Sequence, residues 1–219
     1  MGAKNRIGYA IAKRVFDSTA ALVGLLLLAP LFGVIALAVK LDSPGPVFFR
    51  QVRVGRHGHH FRIFKFRTMH AGAPGARAEV SGATQLTVAG DARITRSGAF
   101  LRRSKCDELA QLIDVLRGTM SLVGPRPEVP HFVRHYPADV RERVLSVRPG
   151  ITDLASLHYR DENELLAQAA DPQREYLEVI LPAKLRYAVD YVDHATFAGD
   201  LRILAQTVRA VVWADRSPD

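Results

Sequence analysis

The feature that most constrains this chain is an uncharged apolar stretch near its amino end, residues 18–39. As a helix rising 1.5 Å per residue, this stretch would extend about 33 Å, close to the hydrocarbon thickness of a bilayer. Basic residues precede it at 13 and 14 and follow it at 40, so the distribution of positive charge does not orient it. Three interpretations follow: a cleaved signal peptide, a spanning helix, and a re-entrant helix that returns to the same membrane face.

Pro30 lies near the middle of this stretch and bears on the choice without deciding it. Proline lacks an N–H and clashes with the carbonyl of Leu26, so it bends a helix near the bilayer midplane. Many spanning helices tolerate proline, which leaves the spanning and re-entrant alternatives open. A signal peptide is disfavoured, because the apolar run is too long and a basic body with a free thiol would remain. The stretch therefore predicts one membrane element attached to a soluble body.

The composition of the chain restricts its partners. Hydrophobic residues make up 48% of the 219 residues and charged residues 24%, which is enough to build a globular core. The 30 Lys and Arg residues outnumber the 22 Asp and Glu residues, for a net charge of +8. Such an excess favours an anionic partner, namely nucleic acid, acidic lipid or a phosphorylated substrate. The single cysteine excludes a scaffold held by internal disulfides.

Beyond the turn-forming cluster at 42–46, the pattern predicts an α+β fold that is mainly helical and contains one β-hairpin. The predicted strands are residues 47–54 and 61–69, joined by a turn at 55–58. Residues 71–90 are predicted to form a loop. Helices are predicted at residues 107–117, 162–169, 172–180, 182–193 and 200–213.

Asp107 and Glu108 stand out because they lie within a basic segment, residues 102–108. One interpretation is structural, since Ser104 and Asp107 have the spacing of a capping box and acids in a first helical turn oppose the helix dipole. The other is chemical: nearby cations would keep Asp107 ionised and attract a phosphate, and a carboxylate can attack phosphorus to form an acyl phosphate. Adjacent helical side chains point about 100° apart, so the two acids would have different tasks.

Three further features invite functional interpretations, but ordinary structure explains them better. His57, His59 and His60 lie in the predicted turn without a nearby carboxylate, which favours solvated side chains over a zinc site. Cys106 has no histidine in its segment, which disfavours a thiol nucleophile. The basic, Phe-rich hairpin could stack on and neutralise nucleic acid, although phenylalanines at alternate positions are more typical of a core.

Five segments in a fixed order carry a resemblance to a known family: KRVFD at 13–17, the apolar stretch with Ala29 and Pro30, and residues 43–69, 101–128 and 148–162. They resemble the bacterial sugar transferases, the monotopic polyprenyl-phosphate phosphoglycosyl transferases, over nearly the whole chain. One departure is visible, because the family usually has proline after Asp-Glu-Leu, where this chain has Ala110. Alanine is the better helix former, so we expect the same chemistry with a different helix entry.

The resemblance implies an enzyme of the bacterial inner (cytoplasmic) membrane. Residues 1–41 would form an interfacial N-terminus and a re-entrant helix broken at Ala29 and Pro30, and residues 42–219 a catalytic domain on the cytoplasmic face. The implied reaction transfers a sugar-1-phosphate from a UDP-sugar to polyprenyl (undecaprenyl) phosphate and releases UMP. This is the first membrane step in assembling a polysaccharide, such as an exopolysaccharide, or a glycoconjugate. Downstream glycosyltransferases are candidate partners, and no nucleic acid is implied.

The resemblance also implies roles for individual residues. Asp107 would attack phosphorus and form a covalent phosphosugar intermediate, and Glu108 would act as base or orienting group for the acceptor. Mg²⁺, with Asp107 as a ligand, is implied by the family and by the repulsion between a carboxylate and a diphosphate. The positive charge would hold the protein on the anionic lipid of one leaflet. The expected partners of the substrates are Lys65, Arg67, Arg102, Arg103, Arg126 and Arg148.

Two alternatives remain at this point. A membrane-tethered protein that binds nucleic acid or lipid through the basic hairpin would not need Asp107, and its binding would weaken steeply with salt. A transferase that moves only the sugar would release UDP instead of UMP.

Overall fold

The computed structural model describes residues 3–72, 86–88 and 90–212, and the fold is described for these residues. Its first element, α1, is a 40-residue helix, Ala3–Asp42. It is the one described helix that is both long and apolar enough to cross a membrane. The helix continues through Ala29 and Pro30, where the sequence predicts a break. A proline removes one hydrogen bond and bends a helix without necessarily ending it.

One face of α1 packs on the rest of the protein on both sides of Pro30. Asp17 and Ala21 are buried before the proline, and Ile35 and Val39 are buried after it. Each pair is four residues apart, which is the spacing of a single helical face. The opposite face is apolar and exposed; its side chains include Ile11, Val15, Leu26, Leu27, Val34, Leu37 and Leu41. Both halves of α1 therefore dock on one body, while the outer face stays uncovered.

The predicted hairpin is present. Strand β1 spans Phe48–Val54 and strand β2 spans His60–Phe66, and they pair antiparallel with Phe48 opposite Phe66. A short 3-10 turn, Arg56–Gly58, joins them. The three histidines at this end of the hairpin are exposed, as expected for solvated side chains.

One hairpin phenylalanine, Phe66, is buried, and the other four are half-buried. Phe66 is 1% exposed, and the rings of Phe32 and Phe48 lie against it with centroids 5.2 and 5.3 Å away. These edge and tilted contacts are the geometries that aromatic pairs prefer. Phe48 and Phe66, two of the rings that the nucleic-acid alternative needs on a surface, thus join the second half of α1 to the hairpin.

The remaining elements are short helices and one pair of parallel strands. Strands β3 (Ser121–Val123) and β4 (Gly150–Thr152) pair in parallel, with Ser121 opposite Gly150, and the sequence pattern does not predict them. A π-helical turn, Tyr176–Ile180, lies between the helices Pro172–Glu175 and Leu181–His194. In chain order the elements are α2 (Arg96–Arg103), α3 (Leu112–Arg117), β3 (Ser121–Val123), α4 (Pro130–Val133), α5 (Ala138–Val144), β4 (Gly150–Thr152), α6 (Leu154–His158), α7 (Glu162–Gln168), α8 (Pro172–Glu175), α9 (Leu181–His194) and α10 (Phe197–Val212).

The prediction of a mainly helical α+β fold with one β-hairpin is confirmed. The four helices predicted after residue 160 are present as α7 to α10, with a π-helical turn within one of them. The predicted loop, residues 71–90, lies largely outside the described residues, and its described part is neither helix nor strand. Trp213, the last residue of the predicted C-terminal helix, also lies outside them.

The segment that carries the acidic pair is held between β2, α2 and α1. Ala110 is fully buried in a cluster that contains Ile35 and Val39 of α1, Phe66 of β2 and Leu101 of α2. The family's usual proline is thus replaced here by a small side chain in a dense core. This packing joins the membrane-type helix to the candidate site.

Candidate active site

The acidic pair lies just after a sharp corner between α2 and α3. The chain turns at Lys105, whose φ of 57° lies in the left-handed region that non-glycine residues rarely adopt. Cys106–Gln111 then forms a 3-10 segment that contains Asp107 and Glu108. The predicted helix at 107–117 is therefore a tight 3-10 segment followed by the short helix α3. A strained backbone at such a position is a common feature of functional sites.

The capping-box interpretation of Ser104 is wrong. The hydroxyl of Ser104 donates to the carbonyls of Phe100 and Leu101, at 2.9 and 3.3 Å, so it closes the end of α2. Lys105 precedes the 3-10 segment as its N-cap residue, and its side chain makes no capping hydrogen bond. Asp107 is thus not needed to complete a capping box.

Two cations from different elements hold Glu108. Its carboxylate accepts from Lys65 Nζ at 2.8 Å and from Arg126 Nη1 at 2.9 Å. A second nitrogen of Arg126 completes a two-pronged ion pair. Burial raises the pKa of Glu108, but the charges of Arg126 and Lys65 outweigh this and hold the pKa well below its usual value. Glu108 is therefore an ionised carboxylate fixed between β2 and the turn after β3.

Asp107 has different surroundings. It is 7% exposed, and none of the described residues donates a hydrogen bond to its carboxylate. Burial raises the pKa of Asp107, Lys65 lowers it in part, and the neighbouring charge of Glu108 raises it again. The cations expected from the sequence do lower the pKa of Asp107, but burial is the larger effect and opposes them. A desolvated carboxylate without a hydrogen-bond donor is suited to nucleophilic attack.

Three of the six predicted cations surround the pair. Lys65 and Arg126 bind Glu108, and the charge of Arg102 acts on Asp107. Arg102 Nε donates to Thr68 Oγ1 at 2.8 Å, which fixes the guanidinium at the end of β2. Burial lowers the pKa of Lys65 and of Arg102, while the acidic pair opposes this effect. An anionic substrate would meet three positive charges beside one unbonded carboxylate.

The structure places Arg67 elsewhere. Its side chain is buried and donates to the carbonyls of Val39, Ser43 and Pro44, so it closes the carboxyl end of α1. Unpaired carbonyls at a helix end attract cations, and the sequence does not reveal which arginine meets them. Arg67 thus connects β2 to the membrane-type helix and does not bond to the acidic pair.

Arg148 and Arg103 also do not bond to the acidic pair. Arg148 Nε donates to the carbonyl of Gly118 at 2.9 Å, just beyond the end of α3. Arg14 donates to two carbonyls of the same helix end. Arg103 is exposed at the end of α2. The roles of these two residues in binding substrate stay predictions.

Two acidic residues that the sequence analysis did not assign support Arg126. Asp153 Oδ2 accepts from the backbone N–H of Arg126 at 3.2 Å, while Oδ1 caps α6 through Ser156. Glu128 lies two residues after Arg126 and accepts from Tyr176 at 2.6 Å. Two sequence patterns could have identified these residues. Asp153 directly precedes a helix, and Glu128 closes a proline-rich turn.

The residues at this site fit a magnesium ion that the substrate helps to hold. The described residues contain no group of three His, Cys, Asp or Glu side chains able to hold a metal by themselves. Glu108 is engaged with two cations, which leaves Asp107 as the free carboxylate. Mg²⁺ is often bound by one or two carboxylates together with substrate phosphates. One carboxylate plus a diphosphate fits this pattern.

Residues 8–214 match the family described as bacterial sugar transferase. The chain belongs to this family. The UDP-glucose:undecaprenyl-phosphate glucose-1-phosphate transferase of Caulobacter vibrioides is 37% identical over 215 residues, covering 97% of this chain and 74% of the relative. The exopolysaccharide production protein PSS of Rhizobium leguminosarum bv. phaseoli is 36% identical, covering 90% of this chain and 94% of the relative.

The relatives of this bacterial sugar transferase differ in length and in the sugar that they are named for. The UDP-N-acetylgalactosamine-undecaprenyl-phosphate N-acetylgalactosaminephosphotransferase of Aeromonas hydrophila is 36% identical, covering 93% of this chain but 44% of the relative. The chain therefore spans less than half of that relative and about three quarters of the Caulobacter protein. Membership of the family does not by itself select the sugar.

Proposed function

We propose that this bacterial sugar transferase moves a sugar-1-phosphate from a UDP-sugar to undecaprenyl phosphate. The observation that carries the proposal is the unbonded, buried carboxylate of Asp107 among the charges of Lys65, Arg102 and Arg126. Such a site joins a nucleophile to the positive charge that phosphoryl transfer requires. The names of relatives from Caulobacter and Escherichia coli, both glucose-1-phosphate transferases acting on undecaprenyl phosphate, support the same reaction class.

In the first step, a carboxylate oxygen of Asp107 attacks the β-phosphorus of the UDP-sugar. The new O–P bond forms as the bond from that phosphorus to the bridging oxygen breaks, and UMP leaves with the electron pair. The phosphosugar stays on Asp107 as an acyl phosphate. Lys65, Arg102 and Arg126 stabilise the negative charge on the transferring group.

In the second step, an oxygen of the lipid phosphate attacks the same phosphorus. The bond to Asp107 breaks, the carboxylate is restored, and polyprenyl-diphosphate-sugar leaves as the substrate of downstream glycosyltransferases. Glu108, held ionised by Lys65 and Arg126, orients the acceptor; the low pKa that these cations give it makes it too weak a base to accept the acceptor's proton. A bound Mg²⁺, with Asp107 as a ligand, would offset the repulsion between carboxylate and diphosphate.

The docking of α1 supports a re-entrant membrane element formed by residues 1–41 and bent near Ala29 and Pro30. Before the proline, Asp17 accepts from the hydroxyl of Ser121 at 2.7 Å; after it, the end of α1 is closed by Arg67. A straight crossing would carry one end of the helix away from the body to which both ends bond.

We therefore place residues 42–219 as a catalytic domain on the cytoplasmic face of the inner membrane. The uncovered apolar face of α1 would enter one leaflet, and the net charge of +8 would favour anionic lipid. The acceptor's phosphate lies at headgroup depth and its tail lies in hydrocarbon. An enzyme seated in one leaflet thus meets both substrates at the interface.

The nucleotide product tests the reaction. Purified protein in nanodiscs that contain undecaprenyl phosphate should release UMP from its UDP-sugar, with UDP-glucose and UDP-N-acetylgalactosamine as the first donors to compare. Release of UDP would identify a transferase that moves only the sugar and would overturn the proposal.

Asp107→Asn should abolish turnover, with a loss of at least about 10³-fold. The amide keeps the size of the side chain and loses its nucleophilic charge. Intact-protein mass spectrometry with donor and without acceptor should show a phosphosugar adduct on the unmodified protein and none on the variant. Near-native activity of a folded Asp107→Asn protein would contradict the assigned role.

A further inference from the structure

A second buried ion network lies behind Arg126, and Glu128 is its centre. The Glu128 carboxylate accepts from the Tyr176 hydroxyl at 2.6 Å and lies 3.6 Å from Arg53 and 3.8 Å from Lys184. Its side chain is 11% exposed. Burial raises the pKa of Glu128, but Lys184 and Arg53 outweigh this effect and keep the group ionised.

The turn at 124–128 is bonded to β1 at two successive residues. The backbone carbonyl of Glu128 accepts from Val54 N at 2.9 Å, and that of Pro127 accepts from Arg53 Nη1 at 3.0 Å. Arg126 lies within this turn, and its guanidinium points to Glu108. The Glu128 carboxylate, 3.6 Å from Arg53, holds the side chain that donates to this turn, and the turn is the backbone from which Arg126 reaches the acidic pair.

The charges alternate in sign from the acidic pair into the core. Glu108 lies between Lys65 and Arg126, and Glu128 lies between Arg53 and Lys184. Without Glu128, the buried guanidinium of Arg53 and the ammonium of Lys184 would lose their shared partner close to Arg126. Like charges in a buried region repel strongly, so Arg126 would be displaced from Glu108.

We propose that Glu128 is a positioning residue for Arg126: it holds the turn on β1 and balances the cations behind it, so that Arg126 stays directed at Glu108 and the substrate phosphates. This role rests on the proposed function, which assigns Arg126 to the phosphoryl-transfer site. Glu128 itself bonds to neither Asp107 nor Glu108.

A double-mutant cycle on kcat/KM for the UDP-sugar tests the role. Glu128→Gln keeps the size of the side chain and an acceptor for Tyr176 but removes the charge, and it should lower kcat/KM about tenfold. Arg126→Lys should lower it about 100-fold, because lysine cannot form the two-pronged pair. The double variant should be no worse than Arg126→Lys alone, within about threefold. Losses that multiply in full would overturn the proposal.

Glu162→Gln is the matched control. Glu162 binds the other side of Lys184 at 2.7 Å, so the variant makes the same chemical change in the same network away from the turn. Its loss of kcat/KM should be less than threefold and should multiply with that of Arg126→Lys. If Glu162→Gln behaves like Glu128→Gln in the cycle, the network acts only through general stability and the positioning role is wrong.

Tyr176→Phe provides a second route if Glu128→Gln does not fold. It removes the hydrogen bond to Glu128 and keeps the ring in the core, so kcat/KM should fall about threefold and only when Arg126 is present. A loss that persists in the Arg126→Lys background would contradict the role.

If the unmodified protein releases no UMP, the proposed function fails. If it releases UMP and the losses of kcat/KM multiply, only the positioning role of Glu128 fails.

Discussion

Asp107 and Glu108 are adjacent in the chain and have opposite electrostatic surroundings. Burial raises the pKa of Asp107, which has no hydrogen-bond donor among the described residues, while two cations hold the pKa of Glu108 low. A pair of acids whose pKa values are driven apart is suited to two different tasks. The 3-10 segment produces this difference, because it turns successive side chains towards different neighbours.

Glu108→Gln should reduce turnover by about 10²–10³-fold while leaving adduct formation on Asp107 possible. The amide lacks the charge that orients the acceptor, whereas the nucleophile is unchanged. Intact-protein mass spectrometry with the UDP-sugar should show the phosphosugar adduct, and addition of undecaprenyl phosphate should discharge it slowly. Discharge at the unmodified rate would contradict the assigned task of Glu108.

The left-handed backbone at Lys105 can be tested by substitution. Its φ of 57° is tolerated by glycine and is unfavourable for a β-branched side chain. Lys105→Val should be less stable than Lys105→Gly by about 1–2 kcal/mol, measured by denaturant unfolding in a fixed detergent. Since the corner orients Asp107, the valine variant should also lose more activity. Equal stability of the two variants would show that the corner tolerates any residue.

At the scale of elements, the end of α1 is tied directly to the helix that leads to the site. The carboxylate of Asp42 accepts from the backbone N–H and the hydroxyl of Ser97, each at 2.7 Å, at the start of α2. α2 in turn carries Arg102 towards the acidic pair. The end of α1 and the position of the site are therefore linked through α2, in addition to the packing around Ala110.

Asp42→Ala should lower stability by about 1 kcal/mol, because the first turn of α2 loses two hydrogen bonds from one acceptor. Ser97→Ala is the milder control, since it removes the hydroxyl and keeps the backbone donor. We expect kcat/KM to decrease in the same order, with Asp42→Ala lower than Ser97→Ala and both lower than the unmodified protein. Equal kcat/KM values for the two variants and the unmodified protein would show that this link does not affect the site.

At the scale of the whole molecule, the bonds from both halves of α1 to one body determine the expected topology. Gly8→Cys and Lys40→Cys, each introduced into a Cys106→Ser background, place thiols at exposed positions near the two ends of α1. Both should react with an impermeant maleimide only in inverted membrane vesicles. Reaction of Gly8→Cys from the periplasmic side would show that α1 spans the membrane, and would leave the proposed chemistry intact.

Pro30→Leu is the companion variant for this topology. Leucine restores the hydrogen bond to the carbonyl of Leu26 and favours a straight helix. Because the bonds of Asp17 and Arg67 cannot both be kept if the ends separate across the bilayer, activity should fall and the label at Gly8→Cys should become accessible from the periplasmic side. An unchanged labelling pattern would show that docking to the body, and not the proline, sets the topology.

Local patterns made the hairpin, the amphipathic helices and the acidic pair predictable. Alternation in β1 and β2 and the helical spacing in α9 and α10 are visible within one window of sequence. The parallel pair of β3 and β4 was missed because three-residue strands carry too little pattern and their pairing joins distant parts of the chain.

The sequence by itself determined the membrane-type helix, the family and the identity of the two acids, since each depends on residue types at short spacing. Only the tertiary structure decided which cations lie beside the two acids. Lys65, Arg102 and Arg126 converge on the acids, whereas Arg67 closes the end of α1 and Arg148 bonds beyond the end of α3. The physical reason is that a guanidinium can bind either a carboxylate or a helix-end carbonyl, and packing selects which of them lies within reach.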